Sequence, residues 1–366
     1  MLARAFPMKE ARNPKRRAQF ERTMLLMKKL SALLLAAACA LGLLAGCSSD
    51  AGSDQAAPSG ENAAETLAVN VAALKGPTAM GLVKFMDEAA SGALDGAEYS
   101  FGIAASPDEL TPRIAKSELD IAAVPANLAS VLYNNTDAGV QVLAVNTLGV
   151  LYICDQDGSI GSVSDLAGKT VYASGKGSTP EYALNYILEK NGLTPGSDVF
   201  VEWKSEHAEC VAAMAENPQA IALLPQPFVT TAQMKNESIR PALDLTEEWD
   251  AVQTGDEKSS LITGVVIARA DFVEQHPEAV KDFLQRYEAS VDFVNENTEA
   301  AAELVGAYDI VPAAVAQKAL PACNIVYIDG TDMKERLAGY LGVLFEQNPK
   351  AVGGTLPGDS FYYDAA

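Results

Sequence analysis

Between Leu67 and Arg269, short apolar segments alternate with stretches of helical spacing, and polar breaks at Asp155 to Gly161 and Asp250 to Ser260 interrupt the series twice. Few architectures accept such a pattern. Leu67 to Leu74 reads as a strand, Lys75-Gly76-Pro77-Thr78 follows, and Leu82, Val83, Phe85, Met86 and Ala89 then recur at helical period. Pro77 suits the first turn of that helix, where no backbone donor is needed. Tyr99 to Ala104 is a second strand, with a helix from Ser106-Pro107 to about Lys116. Leu119 to Val124 is a third, followed by a helix from Pro125-Ala126-Asn127 to Tyr133, and Val140 to Val145 is a fourth. Strands and helices at this spacing predict a parallel sheet covered on both faces.

Leu148 to Cys154 reads as one further strand before the first break. Beyond it come Lys169 to Ala173, the loop Ser174 to Pro180, and a helix to about Lys190 that ends at Gly192. Val199 to Trp203 is a strand, His207 to Glu216 a helix, and Ala220 to Leu224 a strand that stops at Pro225-Gln226-Pro227. After the second break, Leu261 to Arg269 is a strand and the rest reads mostly as helix. The predicted fold is α/β, in two lobes joined by two hinge crossovers, each lobe a parallel-rich sheet flanked by helices. Lobe 1 spans 67–156 plus 260–363 and lobe 2 spans 157–259. Loops at the carboxyl ends of such strands face each other across a cleft, where ligands of open α/β sheets sit, and a hinged pair of lobes closes on what it holds.

The N-terminal region carries a different signal. Lys28 and Lys29 precede an apolar run, Leu30 to Leu44, that ends in Leu43-Leu44-Ala45-Gly46-Cys47. A charged start, a short apolar segment and a small-residue cut site have the build of an export signal. The run falls short of the roughly 20 residues that span a bilayer. Leu44-Ala45-Gly46-Cys47 resembles a bacterial lipobox, which implies cleavage before Cys47, lipid on that residue, and a chain tethered to the cell membrane on its outer side. An ordinary secretory signal with a chance cysteine is the alternative. Residues 1–46 are therefore expected to be a signal peptide, with Met24 or Met27 as alternative starts. Residues 47–66, which lack large apolar side chains from Asp50 to Glu65, are expected to form a lipidated flexible tether.

Removing 46 residues, nine of them basic and two acidic, leaves 18 basic against 46 acidic residues, a net charge of −28. That balance argues against a nucleic-acid partner and against docking on anionic lipid through protein charge. A hydrophobic fraction of 49% supplies a large core, and a folded part of this length exceeds one typical core, so two domains are expected. Of five cysteines, Cys154, Cys210 and Cys323 remain in the folded part. One disulfide and buried free thiols are both open. No two of the three sit at metal-ligand spacing, only His207 and His276 could join them, and neither a metal nor a cofactor is expected.

Four phrases match a known family: Asp165-Leu166-Ala167-Gly168-Lys169-Thr170-Val171, the helix followed by Gly192-Leu193, the Pro225-Gln226-Pro227 turn, and His276-Pro277-Glu278-Ala279-Val280-Lys281-Asp282-Phe283-Leu284. With the lipobox, the chain resembles the extracellular solute-binding subunits of ABC importers, in the group that handles nitrate, sulfonates, taurine and thiamine-precursor pyrimidines. The likeness spans nearly all of residues 67–345. It implies the type II periplasmic-binding-protein fold, a monomer without chemistry of its own, a membrane permease and its ATPase as partners, and a small polar solute, anionic or heteroaromatic. Two alternatives stand beside it: an enzyme on the same fold, resembling pyrimidine synthases or menaquinone-pathway enzymes, and a lipoprotein that senses a ligand.

Candidate ligand contacts follow from the loops. Lys75, Gly76, Pro77 and Thr78 lie between a strand and a helix start, where free N–H groups and the helix dipole favour an anion or a carbonyl-rich group. Thr78 is either a ligand contact or a helix-start residue. Ser106 and Asn127 hold the equivalent position after the next two strands and are both good N-caps. Gly175, Lys176, Gly177, Ser178 and Thr179 form a donor-rich loop without P-loop spacing. The family resemblance makes Gly175, Lys176, Ser178 and Thr179 the lobe 2 half of the clamp. Lys75 and Lys176 together favour an anionic solute. Gln226 is a polar ligand contact or a turn residue between prolines, Thr147 adds a hydroxyl from the crossover, and His207 is open between ligand contact and helix start. Neither histidine has a nucleophile and carboxylate arranged around it, and no Gly-x-Ser-x-Gly elbow occurs, so no catalytic residue is expected.

Overall fold

The structure is a computed structural model that describes residues 66–137, 139–253 and 259–364. The expected signal segment, Cys47 and the tether as far as residue 65 lie outside the described residues. The strands in chain order are β1 (Ala68–Leu74), β2 (Glu98–Ala104), β3 (Ile121–Pro125), β4 (Val140–Leu148), β5 (Leu151–Asp155), β6 (Thr170–Ser174), β7 (Phe200–Lys204), β8 (Ile221–Pro225), β9 (Arg240–Asp244), β10 (Ile262–Arg269) and β11 (Ile325–Ile328). They form two sheets, one in the order β11-β4-β10-β3-β1-β2 and the other in the order β7-β6-β8-β5-β9.

Both faces of the first sheet are buried, as its near-continuous apolar strands require. Val69, Val71 and Ala73 of β1 enter one apolar cluster and Ala72 enters another, since successive side chains point to opposite faces. The helices that cover the sheets begin with α1 (Pro77–Met80), α2 (Val83–Ser91), α3 (Pro107–Ala115) and α4 (Ala126–Asn135). They continue with α5 (Thr179–Lys190), α6 (His207–Glu216), α7 (Phe228–Lys235) and α8 (Leu245–Ala251). After β10 come α9 (Ala270–Gln275), α10 (Pro277–Glu296), α11 (Thr298–Ala307) and α12 (Ala313–Ala319), and α13 (Gly330–Gln347) follows β11.

The sheets are parallel-rich, not wholly parallel. Parallel pairing joins β1 to β2 and β3, and β6 to β7 and β8. In contrast, β10 runs antiparallel to β3 and β4, β11 to β4, and β5 to β8 and β9. The reason is connectivity. A strand reached through a covering helix re-enters the sheet in the same direction, whereas β5 is reached from β4 through Gly149-Val150 alone and so runs opposite to its neighbours.

That crossing corrects one strand reading. Leu148 ends β4, and the apolar residues from Leu151 onward pair in the second sheet, ahead of the polar break at Asp155 to Gly161. A Cβ on Gly149 would meet Leu261 Cδ2 at 2.8 Å and the Thr246 hydroxyl, so a side chain there would push the two lobes' packing apart. Elements α7, β9, α8 and β11 were not legible as distinct segments. β9 carries Arg240, Pro241 and Asp244 in five residues, and β11 has only four.

The last long helix, α13, serves both lobes. Its buried face, including Met333, Leu337, Tyr340 and Leu344, shares one apolar cluster with Tyr182 and Trp249 of the second lobe. Gln347 Nε2 donates to Tyr182 O at 2.9 Å and Asn348 Nδ2 to Tyr182 Oη at 3.0 Å. Cys154, Cys210 and Cys323 are free and buried, and burial pushes their thiols up to about 12, about 11 and about 12. Among the described residues no helix is long and apolar enough to cross a membrane.

Candidate functional site

The carboxyl ends of β1, β3, β6 and β8 and the starts of α3, α4, α5 and α6 converge on one cavity of about 450 Å³. The first lobe contributes Leu74, Pro107, Pro125, Asn127, Leu128 and Thr263. The second contributes Gly175, Ser178, Thr179, Pro180, His207 and Pro225, and Val150 and Leu151 come from the crossing between them. A cavity walled from both sheets at their strand ends is the arrangement expected of an open α/β ligand site.

Of the residues expected at this site, Asn127, Gly175, Ser178 and Thr179 line the cavity. Gly175 has φ +86, in the left-handed region that glycine enters without strain. This turn lets the Ser178 hydroxyl donate to Gly175 O at 2.6 Å. The Thr179 hydroxyl lies 3.0 Å from Tyr340 Oη, which links the cavity wall to α13. Asn127 Nδ2 donates to Ala351 O at 3.4 Å.

The other expected contacts lie behind or beside the lining. Lys75 pairs with Asp309 at 3.5 Å, and Gly76 is the residue ahead of α1, whose first helical position is Pro77. Thr78 and Thr147 are buried, at 6% and 0% exposure. Asn146 ties them together, donating from Nδ2 to Thr78 O at 3.2 Å and accepting the Thr147 hydroxyl at 3.0 Å. Ser106 precedes α3 with an extended backbone and no side-chain cap bond. Lys176 is exposed. Gln226 is buried, its Oε1 accepting the Thr230 hydroxyl at 2.9 Å.

The cavity also contains residues that the strand-and-loop pattern did not single out. Pro107, Pro125, Pro180 and Pro225 all line it, each at a strand end or in a helix's first turn. Leu74, Leu128, Val150 and Leu151 complete an apolar wall. The prolines' positions were visible in the sequence, as punctuation of the strand ends; that their rings form one wall was not.

His207 opens α6, lines the cavity, and sits with its Nδ1 2.6 Å from Ser174 Oγ and its ring 4.9 Å from that of Phe228. Burial holds its imidazole below the ordinary value of 6.5, so the ring is neutral at pH 7. As pH falls through 6.5 the unfolded chain takes up a proton that the folded chain still refuses, and stability drops. The expected result is a His207 NMR titration midpoint below 6.5. An acid-side loss of stability that His207→Phe removes is its second mark; a midpoint above 6.5 would contradict this burial.

Among the described residues no group of His, Cys, Asp and Glu is arranged to hold a metal ion. Residues 82–317 match the family described as ABC transporter, phosphonate, periplasmic substrate-binding protein. No curated protein matches the chain. Among solved structures, the chain is similar to an ABC transporter protein of Parabacteroides distasonis, at 21% identity and TM-score 0.68, covering 82% of this chain and 99% of that one. It is similar to the periplasmic aliphatic sulphonate-binding protein SsuA of Escherichia coli, at 18% identity and TM-score 0.64, covering 82% and 93%. It is also similar to the periplasmic nitrate-binding protein NrtA of Synechocystis PCC 6803, at 16% identity and TM-score 0.50, covering 69% of each chain.

Proposed function

Because the chain belongs to the periplasmic substrate-binding proteins of the phosphonate ABC-transporter family, we propose that it is the capture subunit of an importer. It takes up a small solute outside the cytoplasmic membrane and hands it to a permease driven by an ATPase. The observation that carries this reading is the cavity of about 450 Å³ walled by both lobes. Closure would turn on the two crossings, at Gly149-Val150 and ahead of β10. Asn127, Gly175, Ser178 and Thr179 would touch the solute, with Lys75, Gly76, Pro77, Thr78, Ser106, Thr147, Lys176 and Gln226 shaping the loops around it. The solutes named for the family and its structural neighbours, phosphonate, sulphonate and nitrate, set the first class to try. The protein would act as a monomer and without chemistry of its own, since its work is binding and release.

Mass spectrometry of small molecules released on denaturation tests this. A species freed stoichiometrically from the wild-type chain and missing from Ser178→Trp, which fills the cavity, supports capture there. The same species in both proteins would remove the cleft from the account, and conversion of it by the purified protein would make the chain an enzyme.

We further propose that lipid on Cys47 holds the chain at the membrane, since its net charge after processing, −28, offers no attraction to anionic lipid. Two signals, an acyl pair or more, make such anchoring stable. Cys47→Ser is expected to abolish palmitate labelling and to move the protein from the membrane fraction to the medium or periplasm. Retention in the membrane with no label would mean that another segment anchors it.

A further inference from the structure

We propose that the cleft accepts an uncharged, mainly apolar solute carrying up to three hydrogen-bonding groups, in preference to phosphonates, sulphonates and other anions. This rests on the reading of the cleft as the solute site, and sets its solute apart from the anions named for the family and its structural neighbours. Three independent features of the walls carry it.

The first is the missing counter-charge. Among the described residues that line the cavity none is Lys, Arg, Asp or Glu. Neither Lys75, which pairs with the exposed Asp309, nor Lys176 lies in the lining. An anion moved from water into such walls loses hydration that no cationic side chain of the lining replaces.

The second is the treatment of the helix starts. A helix N-terminus attracts anions through its free N–H groups. Here part of that attraction is offset at three of the four helix starts, those of α3, α5 and α6. Pro107 and Pro180 stand in the first turns of α3 and α5, and proline has no N–H. The amides just ahead of three helices are bound by glutamates from the helices' own first turns: Ala105 N to Glu109 Oε2 at 3.3 Å, Gly177 N to Glu181 Oε2 at 2.6 Å, and Ser205 N to Glu209 Oε2 at 3.0 Å. Each carboxylate adds a negative charge within the first turn of a helix that starts at the cavity, which opposes an incoming anion.

The third is the polar remainder. Ser178, Thr179 and His207 Nδ1 already have partners within the protein. Among the described residues, Asn127 Oδ1, His207 Nε2 and the buried Thr263 Oγ1 are cavity-lining side-chain polar atoms without one. Three such atoms in an otherwise mainly apolar enclosure suit a molecule that is mostly carbon with a small polar edge.

A matched pair of fluorescent probes separates the possibilities: uncharged N-phenyl-1-naphthylamine, and 8-anilinonaphthalene-1-sulfonate, the same ring system with a sulfonate. Each is titrated into the purified chain at pH 7.5, and into Ser178→Trp and Leu128→Trp, two separate plugs of the cavity whose folding is checked by circular dichroism. The expected result is that the uncharged probe binds at least about tenfold more tightly than the sulfonate, and that either plug abolishes it. Glu181→Gln is expected to raise sulfonate affinity several-fold. If the sulfonate binds equally or better and the plugs abolish it, the uncharged class is wrong while the cleft remains the site. If neither probe binds, or the plugs change nothing, this inference falls, and in the second case the cleft reading falls with it.

Discussion

Replacing Trp249 by alanine is expected to cost about 3–5 kcal/mol of stability, the range for emptying a large aromatic site in a packed core. Trp249 is 0% exposed and sits where three elements meet. Its own helix α8 presents it, Tyr186 of α5 lies 4.4 Å from its ring centroid, and Tyr340 of α13 lies 5.8 Å away. Its indole Nε1 donates to Ser259 Oγ at 3.3 Å, so the one polar atom it buries is satisfied. Guanidinium unfolding followed by far-UV circular dichroism measures the loss, and Trp249→Phe should recover part of it. A loss below about 1 kcal/mol would show that α13 and the second lobe do not share a core. Because Tyr340 also reaches Thr179, the alanine variant should weaken solute binding as well.

Arg240→Met is expected to destabilise the protein by about 3 kcal/mol, the lower end of the range for breaking a buried ion pair, because the arginine itself is partly reached by water. Asp155 is 1% exposed, at the end of β5. Its carboxylate accepts from Arg240 Nη2 at 2.9 Å and Ile160 N at 2.9 Å, with Arg240 Nε 2.7 Å away. Arg240 Nη2 also donates to Ile160 O, so one guanidinium pins the turn after β5 to β9. Without it, a carboxylate stays in the interior with one backbone amide for company. The double variant Asp155→Leu with Arg240→Met should regain much of the stability, since removing both partners leaves no unpaired charge. A cycle in which the two single losses simply add would show that the pair contributes nothing beyond its separate parts.

These two sites also show how far the sequence could be read. The alternation from Leu67 to Arg269 was enough for the α/β class, because an apolar run bounded by turn residues and a 3.6-residue period each require only local information. β1, β2 and β6 lie within a residue or so of where the pattern put them. The short elements around Trp249 were missed: β9 is interrupted by Pro241, and α8 is seven residues long. Segments so short take their form from neighbours, and neighbours are not written in the local pattern.

The candidate site divides in the same way. Asn127, Gly175, Ser178 and Thr179 were found because a strand followed by a helix start marks a loop at the cleft, whatever the partners are. Lys75 and Lys176 drew attention by their charge, but whether a lysine meets a cavity depends on side-chain direction and on the nearest carboxylate. For Lys75 that is Asp309, more than 200 positions along the chain. The apolar wall of four prolines was hidden for a related reason. Each proline had a sufficient local explanation as a helix-start or strand-end residue, and only their convergence gave them a second role.

What the amino-acid order determined by itself was the alphabet of this protein: which stretches become strands, where helices start, that the chain makes two sheets, and that its loops gather at strand ends. Those follow from side-chain period and from glycine and proline geometry, all short-range. Tertiary structure alone decided that β5 leaves the first sheet after Leu148, that α13 lies across both lobes, and that the cavity is walled mainly by apolar side chains, with glutamates bonded just ahead of three of its four helix starts. Each depends on residues far apart in the chain competing for the same volume or the same hydrogen bond, and that competition is settled only when the whole chain packs.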